Sequence, residues 1–281
     1  KKTVSIANTG YFLIGEGAAE HGIDKCLNFL SMDETVKMES LIFITKDNEV
    51  SDFIAQSIEN DQVVHEDLEA VEQKQKELVT RNDNTLVNIL NEIESKTGSI
   101  LIPYLISEKN TFLIQGYAVF DDLKLVDYLD SETSSGVNFI KGIIRAFPIY
   151  LKDDVSLSVS YSKCKLKSDL NNNRILIKIL LDFETMIKEI NTSNDIFSQE
   201  ELRRLTVKQN NYVIDVMKKA TNYSIYNKRD ILQIERLLQN QHAKSFRDYQ
   251  EKWDEAVAQI EYEFEVNSKI SKSFIYSKDT D

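Results

Sequence analysis

Strict alternation of apolar and polar side chains in the last third of the chain constrains the fold more than any other feature. It recurs in three segments, and a two-residue period places the apolar side chains of a strand on one face. Residues 171–173 (Asn-Asn-Asn) form a turn signal after the first segment, and two helical segments separate the second from the third. The apolar positions are Val155, Leu157, Val159 and Tyr161, then Ile175, Ile177, Ile179, Leu181 and Phe183, and finally Ile260, Tyr262, Phe264 and Val266.

This alternation predicts a ββααβ unit, an antiparallel sheet with two helices on its apolar face. Ser198 and Glu201 form a capping box that opens the first helix, and the second helix covers Asp230–Glu251. The apolar parity changes after Tyr161, which predicts a β-bulge near Ser162-Lys163.

The first third of the chain has the pattern strand–helix–strand. Tyr11–Ile14 and Ser40–Thr45 are short apolar strands, in an order compatible with a parallel pair. The helix between them spans Glu16–Met32. A further helix is predicted over Asp52–Ile58, and the polar residues 59–83 predict an exposed helix or a connector between domains. The apolar face of the first helix consists of Ala19, Ile23, Cys26, Leu27 and Leu30.

The middle of the chain combines two helices with three strands. Asn84–Lys96 is an amphipathic helix that Gly98 ends. The last two strands form a hairpin around Asp121-Asp122, and a helix over Gly136–Phe147 ends at Pro148. The strands are Ile100–Ile106, Phe112–Phe120 and Lys124–Leu129.

These elements indicate a multi-domain α+β protein whose mixed or antiparallel sheets are each packed by helices. We expect residues 1–80 to be the C-terminal part of a truncated N-terminal domain. Residues 81–150 would then form a small middle α+β domain, and residues 151–281 the C-terminal antiparallel sheet with its two long helices.

Glycine content and charge argue against two classes of ligand. The chain has 8 Gly in 281 residues, and Glu20 stands where a dinucleotide-binding fingerprint beginning at Gly15 needs its third glycine. The formal net charge is -12, whereas binding to nucleic acid requires clustered Lys and Arg. We therefore expect no nucleotide cofactor and no nucleic-acid partner. Charge alone would not hold such a chain on an anionic membrane.

No constellation of side chains marks a catalytic or metal centre. His21, His65 and His242 lie in three separate polar segments, so we expect solvated histidines, no bound metal, no cofactor and no enzymatic activity. Cys26 and Cys164 are expected to be buried or half-buried thiols, with a disulfide between them left open. The serines between residues 156 and 162 indicate a solvated strand face or a hydroxyl-lined contact surface. The single tryptophan, at a predicted helix end, is either a packing residue or an interface anchor.

The segment Gly116–Gly142 resembles a pattern of the Ger(x)C family, the C subunits of nutrient germinant receptors in spore-forming bacteria. Phe12–Thr35 is similar to an upstream region of that family, although Ser31-Met32 stand where a basic residue is usual. Glu251–Val266, with Trp253, also matches in order, so that the resemblance covers nearly the whole chain. The residues that fit the Gly116–Gly142 pattern are Gly116, Ala118, Val119, Phe120, Lys124, Leu125, Val126, Leu129, Gly136, Asn138 and Gly142.

The resemblance implies a lipoprotein ectodomain on the outer face of the spore inner membrane. It also implies membrane-embedded A and B subunits as partners, no catalysis, and an N-terminal lipid anchor that lies outside this chain. Acyl chains, at about 0.8 kcal/mol per buried CH₂, would hold an acidic domain that charge would not. Gly116, Phe120, Gly136, Asn138, Gly142 and Trp253 are the candidate family-signature or interaction residues.

Two alternatives remain open at this stage. The first is an unrelated extracytoplasmic lipoprotein domain that captures a small ligand between its domains. The second is an enzyme whose acidic side chains converge only in three dimensions, which predicts a buried carboxylate cluster with shifted pKa values.

Overall fold

A computed structural model gives the architecture of the chain. It describes residues 9–47, 50–51, 54–55, 63–79, 83–108, 111–151, 155–171, 174–190 and 198–271. Most of the helix predicted over Asp52–Ile58 lies outside the described residues, as does most of the turn predicted at residues 171–173. Among the residues that are described, no helix has both the length and the apolar composition needed to span a bilayer.

The first sheet has five strands in the order β1-β2-β3-β4-β5. β1 pairs with β2, and β2 with β3, in parallel, whereas β3, β4 and β5 form an antiparallel meander. The compatible parallel pair in the first third is therefore confirmed. The strands are β1 (Tyr11–Gly15), β2 (Leu41–Thr45), β3 (Ile100–Glu108), β4 (Thr111–Asp121) and β5 (Lys124–Leu129).

Helices cover both faces of this sheet. Three of them, α1 (Glu16–His21), α2 (Asp24–Met32) and α4 (Leu86–Ser95), contribute to a core that includes Ile42, Ile44 and Ile102. On the other face lie α3 (Val64–Leu78) and α5 (Ser131–Lys141). The polar residues 59–83 therefore contain a helix, which buries Leu68 and Val71 against β2 and β3.

The single helix predicted over Glu16–Met32 is wrong, because the chain breaks at Gly22. This glycine has a φ of 119°, outside the helical range, and it separates α1 from α2. The break changes the helical phase, so that Ile23 and Leu27 are buried as expected whereas Cys26 is exposed. Both cysteines are free thiols, and burial raises the pKa of Cys164 to about 12.

The helix predicted over Gly136–Phe147 begins and ends earlier than expected. Asp130 caps its first turn by accepting a hydrogen bond from the Thr133 amide at 2.7 Å. The helix ends at Lys141 because Gly142 takes the left-handed conformation (φ 65°), and not because of Pro148, which begins the next strand. α4 likewise ends on a left-handed residue, Lys96, two positions before Gly98.

The second sheet has the order β6-β7-β8-β9, formed by β6 (Pro148–Leu151), β7 (Val155–Asn171), β8 (Arg174–Ile190) and β9 (Glu261–Ser271). The first three strands are antiparallel, but β9 runs parallel to β8. The expectation of a wholly antiparallel sheet is therefore wrong. The helices between β8 and β9 carry the chain back across the sheet, which brings β9 in alongside β8 in the same direction.

The bulge in β7 comes before the predicted position. The register with β8 shifts between Val159 and Tyr161, so that Ser160 is the extra residue. Tyr161 is consequently turned out of the core and is 48% exposed. The serine positions are mixed: Ser158 is buried, whereas Ser160 is exposed.

Three helices of the described chain cover the inner face of the second sheet. They are α6 (Gln199–Asn227), α7 (Ile234–Gln250) and the short α8 (Trp253–Val257). The predicted cap at Ser198 is present, since the Ser198 hydroxyl accepts the Glu201 amide at 3.3 Å. The largest core cluster joins this unit to β3, β4 and α5 through Leu101, Val119 and Val137. The division at residues 80 and 150 stays a prediction, with one five-stranded sheet on both sides of residue 80.

Candidate functional site

α5 is the place where most of the candidate residues meet. It lies between β4 of the first sheet and α6, and it approaches both closely. We call the first sheet with its helices the first unit, and the second sheet with α6, α7 and α8 the second unit. A Cβ atom on Gly136 would lie 2.0 Å from the Val216 carbonyl oxygen of α6. A Cβ atom on Gly116 would lie 2.1 Å from the Leu129 carbonyl oxygen and 2.8 Å from the Ser134 hydroxyl of α5. Both glycines thus permit contacts that a larger residue would block.

The other two residues near α5 fix its C-terminal half. Asn138 Oδ1 accepts a hydrogen bond from the Tyr117 hydroxyl of β4 at 2.8 Å. The Ile143 amide donates to the Asn138 carbonyl at 3.1 Å and the Gly142 amide to the Phe139 carbonyl at 3.0 Å, the Schellman arrangement. Burial and the nearby carboxylate of Asp83 raise the pKa of the Tyr117 phenol, which therefore remains a neutral donor.

Phe120 and Trp253 lie away from α5. Phe120 is fully buried in the core between the first sheet and the helices α1, α2 and α4. Trp253 begins α8, is 8% exposed, and packs edge-on against Phe246 with 5.3 Å between ring centroids. The structure therefore brings together Gly116, Gly136, Asn138 and Gly142, but not the other two.

An apolar cavity of about 190 Å³ opens beside α5, between α3, β4 and the start of α5. Gly116, Tyr117 and Asn138 line it, so three residues of the segment Gly116–Gly142 border one cavity. Its polar lining also includes Gln75, whose Oε1 is buried without a hydrogen-bond partner among the described residues. The apolar part of the lining includes Val71, Leu78, Phe112, Ile114, Ile144 and Phe147.

A second, polar cleft of about 440 Å³ lies where the loop before β3 meets the start of α7. Asp230 at its floor accepts the backbone amides of Ile234 at 2.8 Å and Glu235 at 2.7 Å. Asp121 accepts both the Ser99 hydroxyl and the Arg229 guanidinium at 2.6 Å. Asp230 therefore caps the start of α7, and Asp121 links the two units.

The buried carboxyl groups of this junction have altered acidity. Burial raises the pKa of Asp230, although two amides stabilise its charged form. Burial also raises the pKa of Glu235, whose carboxylate accepts the Gly98 amide at 3.3 Å, and that of Glu92, which accepts the Gln233 amide at 3.0 Å. Asp230 and Glu235 are neighbouring buried carboxyl groups with raised pKa values, the feature that the enzyme alternative predicted, but each has a structural partner. Within the described ranges, no His, Cys, Asp and Glu side chains group to hold a metal ion.

No sequence pattern pointed directly to the apolar cavity. Its walls come from α3, from the strands β3 and β4, and from α5 with the residues that follow it, which are far apart in the sequence. A local hint is Gln115, a polar residue inside an apolar strand, which is exposed at a register shift between β3 and β4. Such a bulge re-aims the neighbouring side chains.

Comparisons with known proteins cover nearly the whole chain. A family model described as "Spore germination protein N-terminal domain" matches residues 1–107. A second, described as "Spore germination B3/GerAC like, C-terminal", matches residues 115–273. The crystal structure of the GerBC protein is similar over 96% of this chain and 81% of that chain, with a TM-score of 0.73 and 17% identity. A search of curated proteins found no match.

Proposed function

Because the chain belongs to the Ger(x)C family of germinant-receptor C subunits, we propose that it supports nutrient-triggered germination as a non-catalytic partner of the membrane subunits A and B. The observation that carries the proposal is the match of the two family models, in order, to residues 1–107 and 115–273. In this proposal the chain lies on the outer face of the spore inner membrane, held by a lipid anchor outside these residues.

The outer face of the second sheet is the surface that we propose for contact with the A or B subunit. This face presents Tyr150 (74% exposed), Tyr161 (48%) and Met186 (36%). Tyrosine and methionine are enriched in protein interfaces. Farther along the same face, Lys165 of β7 and Glu265 of β9 are the neighbours of Leu180 on β8. A positive and a negative side chain therefore lie on either side of an apolar one. The part that the six candidate residues play in partner contact stays a prediction.

Gene deletion tests the role, and a pair of tyrosine variants tests the surface. Deletion should abolish germination on nutrients while growth and sporulation continue, and the wild-type gene should restore it. With an affinity tag on the full-length protein, A and B should co-purify from spore membranes. Tyr150→Ser should reduce their recovery, whereas Tyr226→Ser, which removes an 81% exposed ring from α6, should not. A normal nutrient response after deletion would refute the role.

The alternative, an extracytoplasmic small-ligand-binding lipoprotein domain, is favoured by the apolar cavity beside α5. The two proposals give different results in the deletion strain. A ligand-binding protein unrelated to germination would leave the nutrient response intact while the isolated chain still bound its ligand.

A further inference from the structure

We propose that the cavity beside α5 binds a small, uncharged, mainly apolar molecule through one polar end that donates and accepts hydrogen bonds. The proposal does not depend on partnership with the A and B subunits. It rests on the cavity, its polar groups and the charges around it.

The size and the lining of the cavity set the body of the ligand. A volume of about 190 Å³ equals the liquid volume of about six water molecules, which is room for one aromatic ring or a branched aliphatic group. Phe112, Ile114 and Phe147 contribute apolar surface to its walls. Water in such a space makes few hydrogen bonds, so an apolar group gains by replacing it.

Two carboxamides set the polar end of the ligand. Asn138 uses its Oδ1 for the Tyr117 hydroxyl, which leaves its amino group as a donor toward the cavity that both residues line. Gln75 Nε2 donates to Asn84 at 3.2 Å, while Gln75 Oε1 has no partner among the described residues. A ligand that accepts from Asn138 and donates to Gln75 would satisfy both. A primary amide or a hydroxyl can do so, and a carboxylate cannot donate.

The charges around the cavity favour a neutral ligand over an anion. Lys74 is the one charged side chain in the described lining, but it is exposed on α3. Burial, and then the nearby carboxylates of Asp83 and Glu92, raise the pKa of the Tyr117 phenol, although the Lys141 ammonium lies 3.6 Å from Asp83 and offsets part of this negative charge. A solvated ammonium at the rim compensates little for an anion placed near that charge.

Benzamide and benzoate are matched probes because they share a shape and differ in charge and donor capacity. We expect benzamide to bind the wild-type chain saturably, with a Kd of about 1 mM or tighter. Benzoate should bind at least about tenfold more weakly, since it loses one hydrogen bond. Isothermal calorimetry measures both. Absence of saturable benzamide binding, or equal binding of benzoate, would overturn the proposal.

A variant at the mouth tests the location. Gln115 is exposed and lines the cavity, so Gln115→Trp should obstruct entry and weaken benzamide binding at least about tenfold. Gln250→Trp makes the same exchange at an exposed position near the end of α7 and should bind like the wild type. Unchanged affinity in a folded Gln115→Trp chain would refute the site.

Amide chemical shifts locate the ligand independently of any variant. In a ¹⁵N-labelled wild-type chain, benzamide should shift the resonances of Tyr117, Ser134 and Ser135, which line the cavity, and leave those around Trp253 unchanged. Shifts confined to other regions would place the ligand elsewhere and reject the cavity.

Discussion

The contact between Gly136 of α5 and α6 gives the sharpest test of the fold, because two effects oppose each other there. Gly136 lies inside a helix, where alanine is better than glycine by about 1 kcal/mol. If the helix were free of neighbours, Gly136→Ala would therefore stabilise the protein. In the structure, however, the new Cβ would lie 2.0 Å from the Val216 carbonyl oxygen, 2.6 Å from its carbonyl carbon and 3.1 Å from Ala220 Cβ.

The size of the expected destabilisation follows from these distances. Ordinary contact begins at 3.4 Å, so the Cβ and the carbonyl oxygen must move about 1.4 Å farther apart. The atoms in the way are backbone, and side-chain rotation cannot relieve them. Separating α5 from α6 also loosens Val137 and Phe139, which are fully buried at this joint. Overpacking of this kind costs about 3 kcal/mol, so the net loss after the gain in helix propensity is about 2 kcal/mol.

Urea unfolding followed by circular dichroism, with thermal unfolding in parallel, measures this loss. Gly136→Ala should lower the Tm by about 4–8 °C, at about 2–4 °C per kcal/mol for a chain of this size. Gly17→Ala is the matched control, because Gly17 lies in α1 and its Cβ would have nothing within 4 Å. That variant should be neutral or more stable by up to about 1 kcal/mol. A Gly136→Ala chain as stable as the wild type would refute the close approach of the two helices.

Two further predictions concern the junction between the units. Asp230→Ala removes the acceptor of two buried amides, so the free energy of unfolding from urea titration should fall by about 3 kcal/mol, with Asp230→Asn intermediate; equal stability of all three chains would contradict the cap. Glu92 has a pKa raised above 4.5 in the folded chain, so the folded state binds its proton more tightly, and this stabilisation is lost as the pH rises through the folded pKa. Glu92→Gln should therefore gain stability relative to the wild type at pH 7, with a difference that shrinks toward pH 4 in urea titrations; a gain that is constant with pH would contradict burial as its cause.

Local sequence patterns predicted most helices and strands of the fold. The features that they missed, such as the direction of β9, depend on long-range contacts. Alternation located β7 and β8 because it records which face of a strand is buried, and the capping box at Ser198 located the start of α6. The direction of β9 depends on the path of the helices before it, which no periodicity reports. The break at Gly22 was hidden because the apolar spacing continues across it, and a single glycine is tolerated within many helices.

The candidate residues illustrate a related limit of sequence patterns. Gly116 and Gly136 are small because backbone from another element lies about 2 Å from where a side chain would begin. Gly142 is glycine because its φ of 65° suits few other residues. Such constraints come from geometry that recurs wherever the same elements pack in the same way. A motif made of these positions therefore identifies the architecture of the molecule and not its chemistry.

The chemistry of the chain must then reside where the architecture leaves side chains free to vary. The cavity beside α5 meets this condition: its position is set by the glycines that draw α5 against β4 and α6, while Gln75 reaches it from α3, which this packing does not fix. A ligand in the cavity would touch α3, β4 and α5, and α5 contacts the core of the second unit through Val137. Occupancy of the cavity would thus act on α5, a helix that packs against both units.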